Sequence, residues 1–251
     1  MFGKKSFLIA LSAVVLAVLI AGCVSSPAVI EEKPVAIVSG HPDWKPVMWR
    51  NGDNISGIGP EVCQMVFGDI GVQVDSRYVG PWDVVQEKAR TGEIDAIVAL
   101  YKTRDREKYL YYSIPYTTDP IVLFFEKGKQ FAYSQKEDLI GKKGVATVGD
   151  SYGQEMDDFI LKANLNVVRV DTPQLAFSLL QEGKADYFIY SMYAGRTVIN
   201  ELNLSGFKES GIVSNQSFYI GVSKKSPYAK YMRNINASLE RLIAENKIPT
   251  E

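Results

Sequence analysis

The feature that most constrains the fold is an alternation, from about residue 34 onward, of short β-branched runs with longer amphipathic stretches. Val35–Ser39 (VAIVS) and residues 95–100 (DAIVAL) are typical of buried strands, whereas residues 82–90 and 173–182 have the apolar spacing of helices. Parallel strands need a crossover connection, which is usually a helix. The sequence therefore predicts an α/β protein with largely parallel sheets.

An internal repeat supports two similarly built parts. Residues 89–97 and 180–188 each combine a helix end, a glycine and an aspartate that precedes a buried strand. Such junctions are common, so the repeat by itself is weak support. Further strands are predicted at residues 72–77, 121–126, 143–148, 167–170 and 186–190, and further helices at 57–68, 152–163, 192–202 and 227–246.

The first 22 residues predict a signal peptide rather than part of the fold. Lys4 and Lys5 precede an apolar run at residues 7–20, which is shorter than the roughly 20 residues of a membrane-spanning helix. Residues 19–23 (LIAGC) resemble the lipobox of prokaryotic lipoproteins, which implies cleavage before Cys23 and a diacylglycerol on its sulfur. The alternatives are an uncleaved anchor or a chance cysteine near an ordinary cleavage site. Residues 23–33 are then a lipid-anchored linker.

Charge and composition exclude several classes of function. The formal net charge is −1, and −3 without Lys4 and Lys5, which gives no electrostatic basis for binding nucleic acid. With Cys23 lipidated, Cys63 is the remaining thiol, and its apolar neighbours favour an inert buried residue. With one histidine in the chain, no zinc or copper site and no cofactor are predicted.

Several motifs carry a family resemblance. Residues 103–108 (TRDREK) and 112–116 (YSIPY) match a T-x-x-R-x-K…F-S-x-P-Y signature, and residues 92–98 (GEIDAIV) match the junction that precedes it. Residues 139–145 (LIGKKGV) resemble a segment that opens a second lobe. From residue 35 to about 248 the chain resembles the family 3 extracellular solute-binding proteins, the polar amino acid receptors of ABC importers.

The resemblance implies a two-lobed, type II periplasmic-binding-protein-like fold with ligand held between the lobes. Lobe 1 would comprise residues 34–118 and 219–251, and lobe 2 residues 119–218. Two crossing strands would join them, near residues 116–122 and 215–221. The implied partners are a small-molecule ligand and an ABC transporter permease. The expected state is a monomer that is extracytoplasmic and attached to the cell membrane through its lipid, on the periplasmic or cell-surface side.

The same resemblance supplies candidate ligand-binding residues. Arg106 matches the arginine that clamps the ligand carboxylate, and a planar guanidinium suits that task. Trp44 and Trp82 fall where aromatic or apolar side chains enclose the ligand. Asp150 and Ser151 belong to a turn that faces the ligand, and free N–H groups at the following helix start suit a carboxylate. The remaining candidates are Ala99, Tyr101, Ser191 and His41.

Two candidates depart from the family pattern. Tyr101 stands where a serine or threonine hydroxyl often contacts the ligand, and Ser191 stands where an aspartate pairs with the ligand's ammonium group. A buried ammonium without a counter-charge costs several kcal/mol. The hypothesis is that the ligand has a carboxylate for Arg106 but need not have an α-ammonium. Alternatively, Asp150 supplies the counter-charge from another direction.

Two other functions remain open at the level of sequence. Some proteins that resemble this family are dehydratases of cyclohexadienyl carboxylates, and Asp150 or His41 would then be the proton donor. A ligand-sensing receptor subunit, read by a partner protein, is the third class. The prediction is a binding protein and not an enzyme.

Overall fold

A mixed sheet of ten strands and a separate sheet of three short strands organise the described part of the chain, residues 33–248 of a computed structural model. The predicted signal peptide, Cys23 and residues 24–32 lie outside the described residues. The strands are β1 (Val35–Ser39), β2 (Asp43–Trp44), β3 (Met48–Asn51), β4 (Asn54–Ser56), β5 (Gln73–Ser76), β6 (Ala96–Leu100), β7 (Leu110–Tyr112), β8 (Thr117–Glu126), β9 (Lys143–Thr147), β10 (Asn166–Val170), β11 (Tyr187–Ser191), β12 (Phe207–Glu209) and β13 (Ser214–Ser223). The helices are α1 (Ile58–Asp69), α2 (Trp82–Thr91), α3 (Gln154–Lys162), α4 (Pro173–Gln181), α5 (Met192–Glu201) and α6 (Met232–Ala244).

The large sheet has parallel ends and an antiparallel centre. Its order is β10-β9-β11-β8-β13-β6-β1-β5, with β12 added to β8 and β7 added to β13. We call β1 to β7 with their helices the first half, and β9 to β12 with theirs the second half. The predicted α/β class is confirmed. The sheet is mixed because β8 and β13 run antiparallel to each other and to β11 and β6.

β8 and β13 connect the two halves. Each has ten residues, and residues 117–121 of β8 pair with residues 214–218 of β13. The rest of β8 pairs with β11 and β12, and the rest of β13 pairs with β6 and β7. Both paired segments overlap the positions where the sequence predicts crossing strands. The lobe limits predicted from the family resemblance stay a prediction.

The two repeated segments of the sequence make the same contact in each half. The backbone N–H of Asp95 donates to Ile37 (2.7 Å), and its carboxylate accepts the N–H of Ile37 (2.8 Å). Asp186 repeats both bonds with Lys143, each at 2.7 Å. Each aspartate thus fixes the start of one strand against its parallel neighbour, and Gly92 ends α2 with a left-handed φ of 85°.

The three-stranded sheet of β2, β3 and β4 is absent from the sequence predictions. Its strands have only two to four residues, too few for a period-two pattern to be recognised. The sheet matters because β2 carries Trp44, whose side chain is 4% exposed and faces the central cavity.

Among the described residues, no helix is long and apolar enough to cross a membrane. Residues 33–248 also contain no group of three or more histidine, cysteine, aspartate or glutamate side chains placed to hold a metal ion.

Candidate ligand-binding site

A small cavity, with a volume of about 20 Å³ open to the centre of a water-sized sphere, lies where the segments that follow β1, β6 and β9 meet. Ligands of open α/β sheets bind at the carboxyl ends of parallel strands, and this cavity lies at such ends. The structure brings eight of the nine candidate side chains into its wall; the ninth, Ser191, does not line it. The eight are His41, Trp44, Trp82, Ala99, Tyr101, Arg106, Asp150 and Ser151, and they are joined by Met48, Leu100 and Phe218, which sequence reasoning missed.

Arg106 is buried at the cavity with part of its hydrogen-bonding capacity free. Its Nε donates to Gln86 Oε1 (2.9 Å), one Nη1–H to the Tyr101 carbonyl (3.0 Å) and one Nη2–H to the Gly149 carbonyl (3.2 Å). A guanidinium has five N–H groups. One N–H on each terminal nitrogen therefore has no bond within residues 33–248, and N–H groups of this kind can donate to a carboxylate.

The Gly149 carbonyl joins the two halves at the cavity. This oxygen, just after β9 in the second half, accepts from Trp82 Nε1 (3.0 Å), Arg106 Nη2 (3.2 Å) and Gln86 Nε2 (3.4 Å), all in the first half. Gly149 has a φ of 76°, and a Cβ there would lie 3.1 Å from Trp82 Cδ1. Only glycine fits this backbone without strain.

His41 occupies the space between the two tryptophans. Its ring centroid lies 5.2 Å from that of Trp44 and 5.4 Å from that of Trp82. Nδ1 accepts the N–H of Asp43 (2.9 Å), so the ring hydrogen is assigned to Nε2, which lies 3.2 Å from Asp150 Oδ1. In this state the indoles enclose a side chain of the protein itself, in the place where the sequence predicts that they contact the ligand.

Asp150 presents one incompletely satisfied oxygen to the cavity. The Thr147 hydroxyl donates to Oδ2, whereas Oδ1 is buried and makes no well-formed hydrogen bond, although His41 Nε2 is at ion-pair distance. Most buried polar atoms are satisfied. The aspartate is thus a candidate partner for a cationic or hydrogen-donating group.

The turn around Ser151 differs from expectation. α3 begins at Gln154 rather than at residue 152, and two backbone N–H groups before it are already occupied. The N–H of Tyr152 donates to Asp157 Oδ1 (2.9 Å), and that of Gly153 donates to Ser151 Oγ (3.2 Å). The Ser151 hydroxyl in turn donates to Asp157. Asp157 and Ser151 thus occupy the N–H groups that were expected to bind a ligand carboxylate.

Ser191 lies behind the cavity, not in its wall. Its hydroxyl donates to Asp119 Oδ1 (2.7 Å) and accepts the N–H of Ala194 (3.2 Å), which caps α5. Asp119, on β8, was missed by sequence reasoning. Trp44 Nε1 (2.9 Å) and the Tyr101 hydroxyl (2.5 Å) donate to its other oxygen. The one available signal was an acid inside a strand that continues as an apolar run.

Burial perturbs the ionisation of the Asp119 carboxyl. Asp119 is 1% exposed, and loss of hydration raises the pKa of its carboxyl to about 6, against the three hydrogen bonds that lower it. Burial, followed by the charge of Asp119, raises the pKa of Tyr101 well above its ordinary value. Tyr101 is therefore a neutral donor to Asp119 throughout the physiological range.

An α/β sheet with two long crossing strands and a cavity at the strand ends defines a periplasmic-binding-protein-like fold. The family model "Bacterial extracellular solute-binding proteins, family 3" matches residues 36–249. The chain belongs to this family. A comparison with curated protein sequences gives no match.

Solved structures share the fold at low sequence identity. Holo ArgBP from T. maritima is 24% identical, with a TM-score of 0.69 over 83% of this chain and 90% of that chain. An amino acid ABC transporter substrate-binding protein, AbpA from Streptococcus pneumoniae bound to L-arginine, is 19% identical, with a TM-score of 0.68 over 85% and 91%. A histidine kinase sensor domain similar to periplasmic binding proteins is also 19% identical, with a TM-score of 0.74 over 85% and 92%.

Proposed function

We propose that this protein is an extracytoplasmic solute-binding lipoprotein, anchored through Cys23, that captures a small carboxylate-bearing solute and delivers it to an ABC permease. The observation that carries the proposal is Arg106, buried in the cavity with one free N–H on each terminal nitrogen. The ligand is an amino acid or a related organic acid. Opening would occur about β8 and β13, and the protein would act as a monomer.

The ligand's second group is proposed from Asp150. Its buried Oδ1 lacks a well-formed bond and lies on the cavity wall near Trp44 and Trp82, whose ring faces attract cations. Ser191 provides no counter-charge, since it is a hydroxyl already bonded to Asp119. A cationic nitrogen would therefore be recognised by Asp150 and would displace the imidazole of His41. An ancestral arginine-binding protein of similar fold has been solved bound to arginine and bound to glutamine.

Thermal unfolding of residues 24–251, stripped of ligand by unfolding and refolding, tests the proposal. The panel pairs each amino acid with the acid that lacks its α-amino group, for example L-arginine with 5-guanidinopentanoic acid. At a hundredfold excess over the dissociation constant, binding adds about 2.7 kcal/mol. Stabilisation by both members of a pair assigns the carboxylate to Arg106 and dispenses with an α-ammonium. Stabilisation by amino acids alone assigns the ammonium to Asp150.

A pair of arginine variants makes the test specific. Arg106→Gln removes the charge at the cavity and should abolish stabilisation by the ligand. Arg104→Gln, two residues away, removes an exposed arginine that pairs with Asp158. This variant should leave stabilisation by the ligand intact. Loss of the ligand response in both variants, or in neither, contradicts the assignment of the carboxylate to Arg106.

One observation favours a second candidate, a dehydratase acting on cyclohexadienyl carboxylates. His41 Nε2 and Asp150 Oδ1 lie 3.2 Å apart in the cavity, and an imidazole paired with a carboxylate can act as a general acid. The release of product from prephenate or arogenate, followed by absorbance, distinguishes turnover from binding. Turnover that disappears in Asp150→Asn would establish the enzyme and overturn the binding-protein proposal.

A further inference from the structure

Asp119 holds together side chains from both halves of the protein. Two of its donors, Trp44 Nε1 (2.9 Å) and the Tyr101 hydroxyl (2.5 Å), come from the first half and line the cavity. The third, Ser191 Oγ (2.7 Å), ends β11 in the second half and caps α5. Asp119 itself lies on β8, opposite Gln216 of β13, where the two crossing strands pair. One carboxylate therefore connects the crossing strands β8 and β13, the cavity wall and helix α5.

The direction of these bonds determines what a ligand meets. The indole N–H of Trp44 and the hydroxyl of Tyr101 both point to Asp119, so their polar atoms are already engaged behind the wall. The cavity is left with the ring faces of these two residues, beside Phe218, which lies 4.9 Å from Tyr101 between ring centroids. Ring faces accept aliphatic, aromatic or cationic groups and offer no hydrogen bond to an anion or a hydroxyl.

We propose that Asp119 is a positioning residue of the cavity: by engaging the polar atoms of Trp44 and Tyr101 it fixes both rings and makes their side of the site selective for an apolar or cationic part of the solute. This selectivity rests on the solute-binding function proposed above. The positioning itself is a property of the ligand-free protein and is measured without a ligand.

The charge of this carboxylate is held without a cation, since its three partners are neutral donors. Two tyrosines, Tyr101 and Tyr190, face the network, and burial is the main cause that raises the pKa of each. On the cavity side of Trp44 the titratable groups are His41 and Asp150. Because the two tyrosines stay neutral below pH 8, a change near pH 6 reports Asp119, and a variant of His41 controls for the neighbouring imidazole.

The test is the ¹H–¹⁵N spectrum of ligand-free residues 24–251 between pH 4.5 and 8. The chain has three tryptophans and hence three indole signals, and Trp44→Phe identifies one of them. We expect the Trp44 signal to shift with a midpoint near pH 6. It should do so in His41→Gln as well, and not in Asp119→Asn. The Trp82 indole, which donates to the Gly149 carbonyl, is the internal reference.

Two variants at position 119 connect positioning to selectivity, with L-arginine and its isostere L-citrulline as probes of a cationic and a neutral side chain. The amide of Asp119→Asn can accept from Trp44 and Tyr101 and donate to Ser191, so the wall is retained. Asp119→Leu removes the acceptors and frees both polar atoms. We expect the preference for arginine over citrulline to stay within about threefold in Asp119→Asn and to fall about tenfold or more in Asp119→Leu.

A Trp44 signal that does not titrate in the folded wild type, or that titrates unchanged in Asp119→Asn, overturns the proposal. An unchanged preference for arginine over citrulline in a folded Asp119→Leu variant also overturns the proposal. If neither probe binds while the Trp44 signal titrates as expected, the positioning role of Asp119 is retained. The proposed selectivity for an apolar or cationic group is then overturned, together with the binding of this solute class. If Asp119→Leu does not fold, the Asp119→Asn spectrum decides alone.

Discussion

Replacing Asp119 with asparagine should remove a specific pH dependence of stability. The pKa of this carboxyl is about 6 in the folded protein and 3.8 as its ordinary value. Between these values the folded state retains a proton that the unfolded state has released, so wild-type stability falls as pH rises from about 4 to about 6. The full difference of about 2 pKa units corresponds to about 3 kcal/mol. With Asp119 only 1% exposed, solvent screening does not reduce this figure appreciably.

Asparagine has no such ionisation and can satisfy the same three partners. At pH 7 Asp119→Asn should therefore be more stable than wild type by up to about 3 kcal/mol, or on the order of 10 °C in Tm for a chain of this size. At pH 4 the two proteins should be nearly equal. Urea unfolding at pH 4, 5, 6 and 7 measures the difference, and subtraction of the two curves removes the contribution of every other carboxylate.

The reasoning is refuted if the two proteins show the same dependence on pH. It is also refuted if Asp119→Asn is less stable than wild type at pH 7 by more than about 1 kcal/mol, because the charge would then strengthen the network instead of destabilising it. Equal m-values in the two proteins are required for the comparison, since they show that the same surface is exposed on unfolding.

Three further predictions concern anchoring, binding and packing. Cys23→Ser should move the protein from the membrane fraction to the soluble fraction, as measured by fractionation and metabolic labelling with palmitate. Arg106→Lys keeps the charge but loses the planar fork, so calorimetry should show binding about 10- to 100-fold weaker. Gly195→Ala drives a Cβ into the ring of Phe124 and should destabilise by about 1–3 kcal/mol, whereas Gly68→Ala, in open space on α1, should be neutral or stabilising by up to about 1 kcal/mol in urea unfolding.

Periodicity predicted the fold where elements are long and buried on one side. Val35–Ser39 was assigned with its observed limits, and α4 and α5 to within one residue. Local sequence carries less information about short strands and about register. The β2–β4 sheet has too few residues for a pattern, and the antiparallel pairing of β8 with β13 joins segments nearly a hundred residues apart.

At the candidate site, too, sequence patterns predicted some residues and missed others. Motifs placed eight of nine candidates in the cavity wall, because each lies at or after the end of a strand and the fold brings these ends together. Asp119 was missed because its partners are distant in sequence: 75 residues for Trp44 and 72 for Ser191. The position of His41 between two indoles was likewise beyond sequence reasoning, since it depends on how the segments after β1 and β6 pack.

The Gly149 carbonyl has a kinetic consequence. Trp82, Arg106 and Gln86 converge on this single oxygen from the opposite half, so a small rotation about β8 and β13 that moves it away breaks all three bonds together. Partial separation gains little, because the three donors share this one acceptor. Opening should therefore be an all-or-none step in which the three bonds break together. The lifetime of the closed state would then determine how long a captured solute remains inside.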